Sequence, residues 1–349
     1  MYKCQREIKS YRLKYRYFIF VLISLVLFGS CKNLYYQNAT FNIEQHEWEK
    51  ARTELDKLIQ QNPDDAKAFF MLGDVYAHLD QYEKMHTCFS RCLELSNRFQ
   101  NQINHLIQKH WVENFNAGIK RFDEGKHDKA ILRFINATII KPNKPIAYIH
   151  LGNIYRIQAK FDNAIDIYMK AIRLNKKDVI SRNHLAAIYF EKKEYHNAIQ
   201  MCHEIVKIDS KNAEAIQQLA RCYELLNEMD NAIKWYREAS RLLPQNKTIH
   251  TNLGVAFFTS QDFEKSIKEF KTALSIDSLD TTLYHYLGEC YWALRDYPSM
   301  VTCFEHIIDI DPWNLAAWRN LTVGYNHLGR YAESDSARVR LEALQQTHP

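Results

Sequence analysis

The chain has 349 residues, of which 46 are Lys or Arg and 41 are Asp or Glu, so its formal net charge is +5. Residues 1–30 hold six basic side chains and one acidic one, and so account for this whole excess. The neutral remainder lacks the positive charge that neutralises nucleic-acid phosphates, which excludes nucleic acid as an expected partner. Nine Gly and seven Pro supply too few turns for a many-stranded β-fold, so a helical body is expected.

The first thirty residues have the pattern of a secretory signal peptide. Basic residues run as far as Arg16, and an apolar stretch over residues 18–28 follows, ahead of the small residues Gly29 and Ser30. A membrane-spanning helix needs about 20 apolar residues, so this stretch is too short to be one. The pattern therefore predicts that the body of the protein is exported from the cytoplasm.

The end of this segment, Phe28 to Cys31 (FGSC), resembles the bacterial lipobox, although the box usually begins with Leu. The resemblance implies lipidation of Cys31 (palmitate among the acyl chains), cleavage of the 1–30 signal peptide and a polar tether over residues 31–42. An uncleaved signal anchor is the alternative. Because Lys32 and not Asp follows the cysteine, analogy with enterobacterial sorting favours the outer membrane. The expected location is thus extracytoplasmic and lipid-anchored, on the periplasmic face or the surface of that membrane.

A 34-residue period runs through the rest of the chain, and it is marked by the leucines Leu151, Leu185, Leu219, Leu253, Leu287 and Leu321. With these leucines at position 7, positions 8 and 20 are mostly small, positions 11 and 24 are mostly aromatic, and proline recurs at position 32. The pattern resembles the tetratricopeptide repeat (TPR) family in seven contiguous units over residues 111–348. The resemblance implies an all-α TPR solenoid, a right-handed superhelix of antiparallel helix pairs with about eight to eight and a half repeats.

The physics of helix packing explains the same pattern. Two helices cross closely only where side chains are small, so the Gly or Ala at position 8 is expected to face the small residue at position 20. The aromatic residues at positions 11 and 24 fill the remaining space. One such pair cannot bury its apolar face alone, so neighbouring pairs must stack.

Two segments precede the seven units. Residues 66–99 form another unit, and residues 43–65 match only a second helix and are assigned as a partial unit. The solenoid is therefore predicted to occupy residues 43–348. Residues 100–110 are additional, yet they keep helical spacing without Gly or Pro, which predicts one long helix. Its extension is expected to cover the N-terminal units, and the alternative is an edge for docking a partner.

A binding groove is predicted on the first helix of each unit, where positions 2, 6, 9 and 13 share one face. Every residue at position 6 can hydrogen-bond, which suits the amides of an extended polypeptide, similar to the asparagine ladder of O-GlcNAc transferases. The predicted ligand-binding groove comprises this row and its neighbours: Asn116, His150, Asn153, Arg156, Asn183, His184, Gln217, Gln218, Arg221, Asn252, His285, Tyr286, Trp292, Arg319 and Asn320.

The sequence contains no recognisable catalytic motif. It has no glycine-rich nucleotide loop, no G-x-S-x-G and no H-E-x-x-H. His105 and His110 are five residues apart, a poor spacing for two ligands on one helix, so no metal site is predicted. Because repeats and the targeting segment occupy the whole chain, we expect neither enzymatic activity nor a cofactor.

Six cysteines lie within the repeats, mostly at packing positions. There a free cysteine behaves as a small apolar residue. In an oxidising compartment cysteines can also pair. The candidate disulfides are Cys202 with Cys222 and Cys290 with Cys303.

The favoured hypothesis for function is a non-catalytic scaffold that holds a protein or peptide ligand at the envelope, with a lipid anchor in the membrane. The alternatives are an accessory or regulatory subunit of an envelope enzyme or of a secretion or assembly machine, and a carbohydrate-binding module that uses Trp292 and Tyr286. The polar last helix, which carries Ser334 and Arg338, is expected to cap the stack or to contact a second copy of the chain.

Overall fold

A computed structural model describes residues 34–347, and every regular element in that range is helical, which confirms the predicted all-α class. The first compact unit ends at Asn175. It contains α1 (residues 34–44), α2 (Trp48–Gln61), α3 (Ala66–His78), α4 (Tyr82–Leu95), a 3-10 turn (Asn97–Phe99), α5 (Gln100–Asp123), α6 (His127–Ile140), α7 (Pro145–Ile157) and α8 (Phe161–Leu174).

The second compact unit begins at Lys176. It contains α9 (Val179–Glu191), α10 (Tyr195–Ile208), α11 (Ala213–Leu225), α12 (Met229–Leu242), α13 (Lys247–Thr259), α14 (Phe263–Ile276), α15 (Thr281–Ala293), α16 (Tyr297–Ile310), α17 (Leu315–His327) and α18 (Tyr331–Thr347). Within each unit, helices that are neighbours along the chain pack on one another.

Asp or Asn caps the first helix of every repeat in the second unit. Each of these side chains accepts a hydrogen bond from a backbone N–H in the first turn of its helix, which satisfies a donor that the helix cannot. The capping residues are Asp178, Asn212, Asn246, Asp280 and Asn314. Since they lie 34 residues apart, the repeat fixes where each of these helices begins as well as what it buries.

The small residue at position 8 lies against the aromatic ring at position 24. A Cβ atom built on Gly254 would lie 2.5 Å from a ring atom of Phe270, and one on Gly152 would lie 2.7 Å from Tyr168. The residue at position 20 also contacts position 8: the Ser266 hydroxyl donates a hydrogen bond to the Gly254 carbonyl at 2.8 Å. In these repeats with glycine at position 8, the ring at position 24 leaves no room for a side chain there.

Helix α5 is a single helix of 24 residues, as the apolar spacing predicts. In its extension Ile103 is buried in one cluster with Phe89 and Cys92 of α4. Just before it, Phe99 stacks on Phe70 of α3 with ring centroids 4.9 Å apart. These contacts confirm that the extension covers the N-terminal helices.

The tether predicted over residues 31–42 is wrong from residue 34 onward. Residues 34–44 are helical, and Ala39 is completely buried in a cluster with Ala51 and Leu55 of α2. The phenol of Tyr36 donates a hydrogen bond to Asp65 at 2.6 Å. Tyr35, Tyr36 and Ile43 pack against the same cluster. Helix α1 therefore pairs with α2, and the first helix pair begins at residue 34 and is not the partial unit predicted over residues 43–65.

All six repeat cysteines are free and buried, so the two candidate disulfides do not form. Burial raises the pKa of the Cys202 and Cys303 thiols to about 12. A thiol with such a pKa is almost entirely protonated at neutral pH and is a poor nucleophile. The cysteines therefore serve as small apolar residues of the core.

Among the described residues, no helix combines the length and the apolar character needed to cross a bilayer. The predicted signal peptide and the lipidation site at Cys31 lie outside the described residues.

Candidate functional site

The second unit contains an open cavity of about 700 Å³. That volume is in the range of ligand pockets, which is about 300–1,000 Å³. Helices α9, α11, α12 and α13 contribute its walls, and four predicted groove residues lie there: Gln217, Gln218, Arg221 and Asn252. The other lining residues are Ala187, Phe190, Glu191, Glu214, Glu224, Leu225, Tyr236 and Thr248.

Helix periodicity explains why these side chains meet. Glu214, Gln218, Arg221 and Leu225 occupy positions 2, 6, 9 and 13 of their repeat, so they share one face of α11. Ala187 and Glu191 occupy positions 9 and 13 of α9, and Thr248 and Asn252 occupy positions 2 and 6 of α13. The same stripe of three successive repeats therefore builds most of the cavity wall.

The cavity is acidic. Its lining holds three carboxylates, those of Glu191, Glu214 and Glu224, and one guanidinium, that of Arg221. The Arg221 guanidinium lies over the Phe190 ring at 5.1 Å from the centroid, where the ring face attracts a cation. A ligand with a basic side chain would find more opposite charge than like charge here.

Glu224 is held in place by Tyr236 of α12. The phenol donates to the Glu224 carboxylate at 2.6 Å, and the rest of the tyrosine ring is buried. Burial, together with this hydrogen bond, raises the pKa of Tyr236 above its usual value. The phenol therefore stays a proton donor at neutral pH, and Glu224 keeps a fixed orientation at the cavity wall.

The other predicted groove residues of the second unit are not among those that line the cavity. Tyr286 stacks on Phe270 with centroids 5.2 Å apart, and His285 packs edge-on against Phe304 at 5.7 Å. Trp292 is 39% exposed. The remaining members are partly or fully exposed on α9 and α17: Asn183, His184, Arg319 and Asn320. Tyr286 and His285 thus have a packing role in the repeats.

Four predicted groove residues belong to the first unit, and two of them pack on aromatic rings. His150 stacks on Phe134 at 5.2 Å, and burial holds the pKa of His150 below its usual value. Asn153 accepts a hydrogen bond from the phenol of Tyr168 at 2.6 Å. Asn116 is exposed and Arg156 is half-buried. Hydrogen-bonding residues at positions 6 and 9 therefore also serve the repeat interior.

The sequence analysis missed Phe190, Glu191 and Glu214 as site residues. Glu191 and Glu214 occupy positions 13 and 2 of the expected binding face, so the signal was present. The predicted groove instead followed position 6, where every side chain can hydrogen-bond. Phe190 lies off that face, and only the packing of α9 beside α11 brings its ring under Arg221.

The fold and this face define an all-α protein built from stacked 34-residue helix pairs. Models of the tetratricopeptide repeat family match residues 54–87, 146–178, 189–254, 248–278 and 281–312, together just over half of the chain. The chain belongs to the tetratricopeptide repeat family. None of the curated proteins matches it.

Several solved structures share part of the fold at low sequence identity. MamA is 18% identical, with a TM-score of 0.45 over 48% of this chain and 92% of its own. YrrB, described as a TPR protein with an unusual peptide-binding site, is 17% identical, with a TM-score of 0.48 over 53% of this chain and 96% of its own. PilF of Pseudomonas aeruginosa is 12% identical, with a TM-score of 0.46 over 61% of this chain and 97% of its own.

Proposed function

We propose that the chain is a non-catalytic scaffold that binds an extended segment of a protein partner in the cavity between α9 and α13. The observation that carries this proposal is the composition of the cavity wall. There, the first helices of successive repeats present both amide side chains and carboxylates. Gln217, Gln218 and Asn252 can donate to and accept from the backbone of a peptide. The carboxylates supply a preference for Lys or Arg in that peptide.

The shape of the cavity favours a peptide over a small compact ligand. The cavity is open along several helices, and its lining alternates amide, acidic and apolar groups without one enclosed pocket. An extended peptide presents a donor or an acceptor at every residue, so repeated amide side chains can hold it without strict sequence demands. The ring of Phe190 and the side chain of Leu225 offer apolar contact for alternate side chains.

The test removes two polar side chains of the cavity wall, one on α11 and one on α13. In the variant Arg221→Ala with Asn252→Ala, crosslinking pull-downs from intact envelopes should lose partners that the wild type captures, and binding to an array of ten-residue peptides should fall about tenfold or more. The control is Asn231→Ala with Arg241→Ala on α12, two exposed residues that do not line the cavity. Identical partner lists for all three proteins would overturn the proposal.

We also propose that the scaffold is anchored in the bacterial envelope through a lipid on Cys31, facing the periplasm or the outside from the outer membrane. The support is the basic, short apolar and FGSC sequence of the first 31 residues. The substitution Cys31→Ala removes the attachment site of the acyl chains. Because several acyl chains are needed for stable anchoring, the variant should leave the membrane fraction. If wild type and Cys31→Ala both stay membrane-bound and uncleaved, the anchor is a helix and not a lipid. Self-association through the last helix stays a prediction.

A further inference from the structure

Three potential metal ligands meet in the first unit. Asp74 and His78 are one turn apart on α3, and His110 reaches them from α5. Each offers one ligand atom, and these atoms all lie within 4.8 Å of one another. Asp74 Oδ1 is 3.6 Å from Nε2 of His110.

Two of these atoms are buried without a hydrogen-bond partner. His110 is only 3% exposed, and its Nε2 atom makes no hydrogen bond. The buried Oδ1 of Asp74, which faces this Nε2, makes none either. Their 3.6 Å separation is too long for a hydrogen bond. Buried polar atoms normally have a hydrogen-bond partner, so we expect these two atoms to share a ligand.

The separation fits a bridging metal ion. Zinc binds nitrogen and oxygen at about 2.0–2.2 Å in tetrahedral geometry, which places two ligand atoms about 3.4 Å apart. Two imidazoles with one carboxylate form a donor set that zinc and similar transition metals accept, and that hard cations such as Mg²⁺ do not prefer.

The surroundings of the cluster supply the outer shell that metal-binding histidines need. Oε2 of Glu113 lies 3.4 Å from Nδ1 of His110, on the opposite side of the ring from Asp74, so the ring can give its proton to Glu113 and present a lone pair at Nε2. Nδ1 of His78 lies 2.9 Å from the backbone carbonyl of Asp74, and donation there leaves the lone pair of Nε2 free. Two carboxylates thus accompany the two imidazoles.

Residues of the cluster line two surface cavities. His78 and His110 line a cavity of about 280 Å³, and Asp74 lines a separate one of about 400 Å³. The one guanidinium in the smaller cavity, Arg133, is paired with Asp80 at 3.4 Å, which reduces its repulsion toward a cation. Both cavities provide a path of entry.

We propose that Asp74, His78 and His110 form a binding site for a divalent transition metal of the zinc class, with Glu113 orienting His110 and a fourth coordination position left to water. The site is independent of the peptide cavity, which lies in the other unit. In the sequence, the spacing of Asp74 and His78 by four residues was the available signal. That spacing alone does not predict the site, because the third ligand comes from another helix.

The test is isothermal titration calorimetry, in which Zn²⁺ is titrated into the purified, untagged full chain after a chelator has removed any bound metal. We expect one zinc ion per chain, a rise in the unfolding temperature with zinc, and no comparable binding of Mg²⁺. Asp74→Asn and His110→Gln should each weaken zinc binding more than tenfold, and Glu113→Gln should weaken it about tenfold. His196→Gln is the matched control, since His196 is an exposed histidine of α10 in the other unit.

His110 is buried, so circular dichroism must show that its variant is folded. His78→Gln gives a second test, because the His78 side chain is 25% exposed and tolerates replacement more easily. Zinc binding that is absent from the wild type would overturn the proposal. So would equal zinc affinity in the wild type and folded His78→Gln, or Mg²⁺ binding as tight as that of zinc.

Discussion

Replacing Phe270 by Ala is expected to lower the free energy of unfolding of the second unit by about 3–5 kcal/mol. The ring is completely buried, stacks on Tyr286 of the next repeat and fills the space that Gly254 leaves open. Removal of the ring deletes its buried apolar area and leaves a cavity, since the backbone around Gly254 cannot supply atoms to fill it. Two repeats lose contacts at once, because Phe270 joins the interiors of both.

Urea unfolding followed by circular dichroism measures this loss. Leu279→Ala is the matched control: Leu279 is 71% exposed, so its truncation should change the free energy of unfolding by less than about 0.5 kcal/mol. Hydrogen exchange should show faster opening in α13 to α15 for the Phe270 variant, since a repeat array depends on contacts between neighbours. A loss below about 1 kcal/mol would mean that position 24 does not hold the repeats together.

The repeat core could be predicted from the sequence because its requirement is local and recurs every 34 residues. Gly254 and Phe270 illustrate this: a small residue and a large ring, sixteen positions apart, recur with the period of the leucines. Any pair of helices that meets at such a point must bury the ring against the small residue. The fold class followed from this one contact and its repetition.

Features that occur once were harder to predict. Helix α1 has no leucine and glycine in repeat register, so no repeat pattern marks Ala39 and the other residues that it buries. The cluster of Asp74 and His110 depends on the extension of α5, which carries His110 back to α3. A one-dimensional pattern cannot show which side chains a long helix brings to its neighbours.

The acidity of the cavity leads to a prediction about ligand choice that rests on the proposed function. In the double variant Glu191→Gln with Glu214→Gln, peptides selected on the array for a central Arg or Lys should bind about tenfold more weakly, a change of about 1.4 kcal/mol. Both carboxylates line the cavity and both are exposed in the free protein, so each contributes a modest amount that grows as the peptide excludes water. Glutamine keeps the size of each side chain and removes only the charge.

Fluorescence anisotropy with labelled peptides measures the affinity at low and at high salt. The difference between wild type and double variant should shrink at about 0.5 M salt, because salt screens charges that solvent reaches. Glu264→Gln controls for helix stability: Glu264 lies in the first turn of α14 as Glu214 lies in the first turn of α11, yet it does not line the cavity. Unchanged affinity in the double variant, or equal preference for peptides with a central Glu, would show that amide contacts alone select the ligand and that the carboxylates serve only solubility.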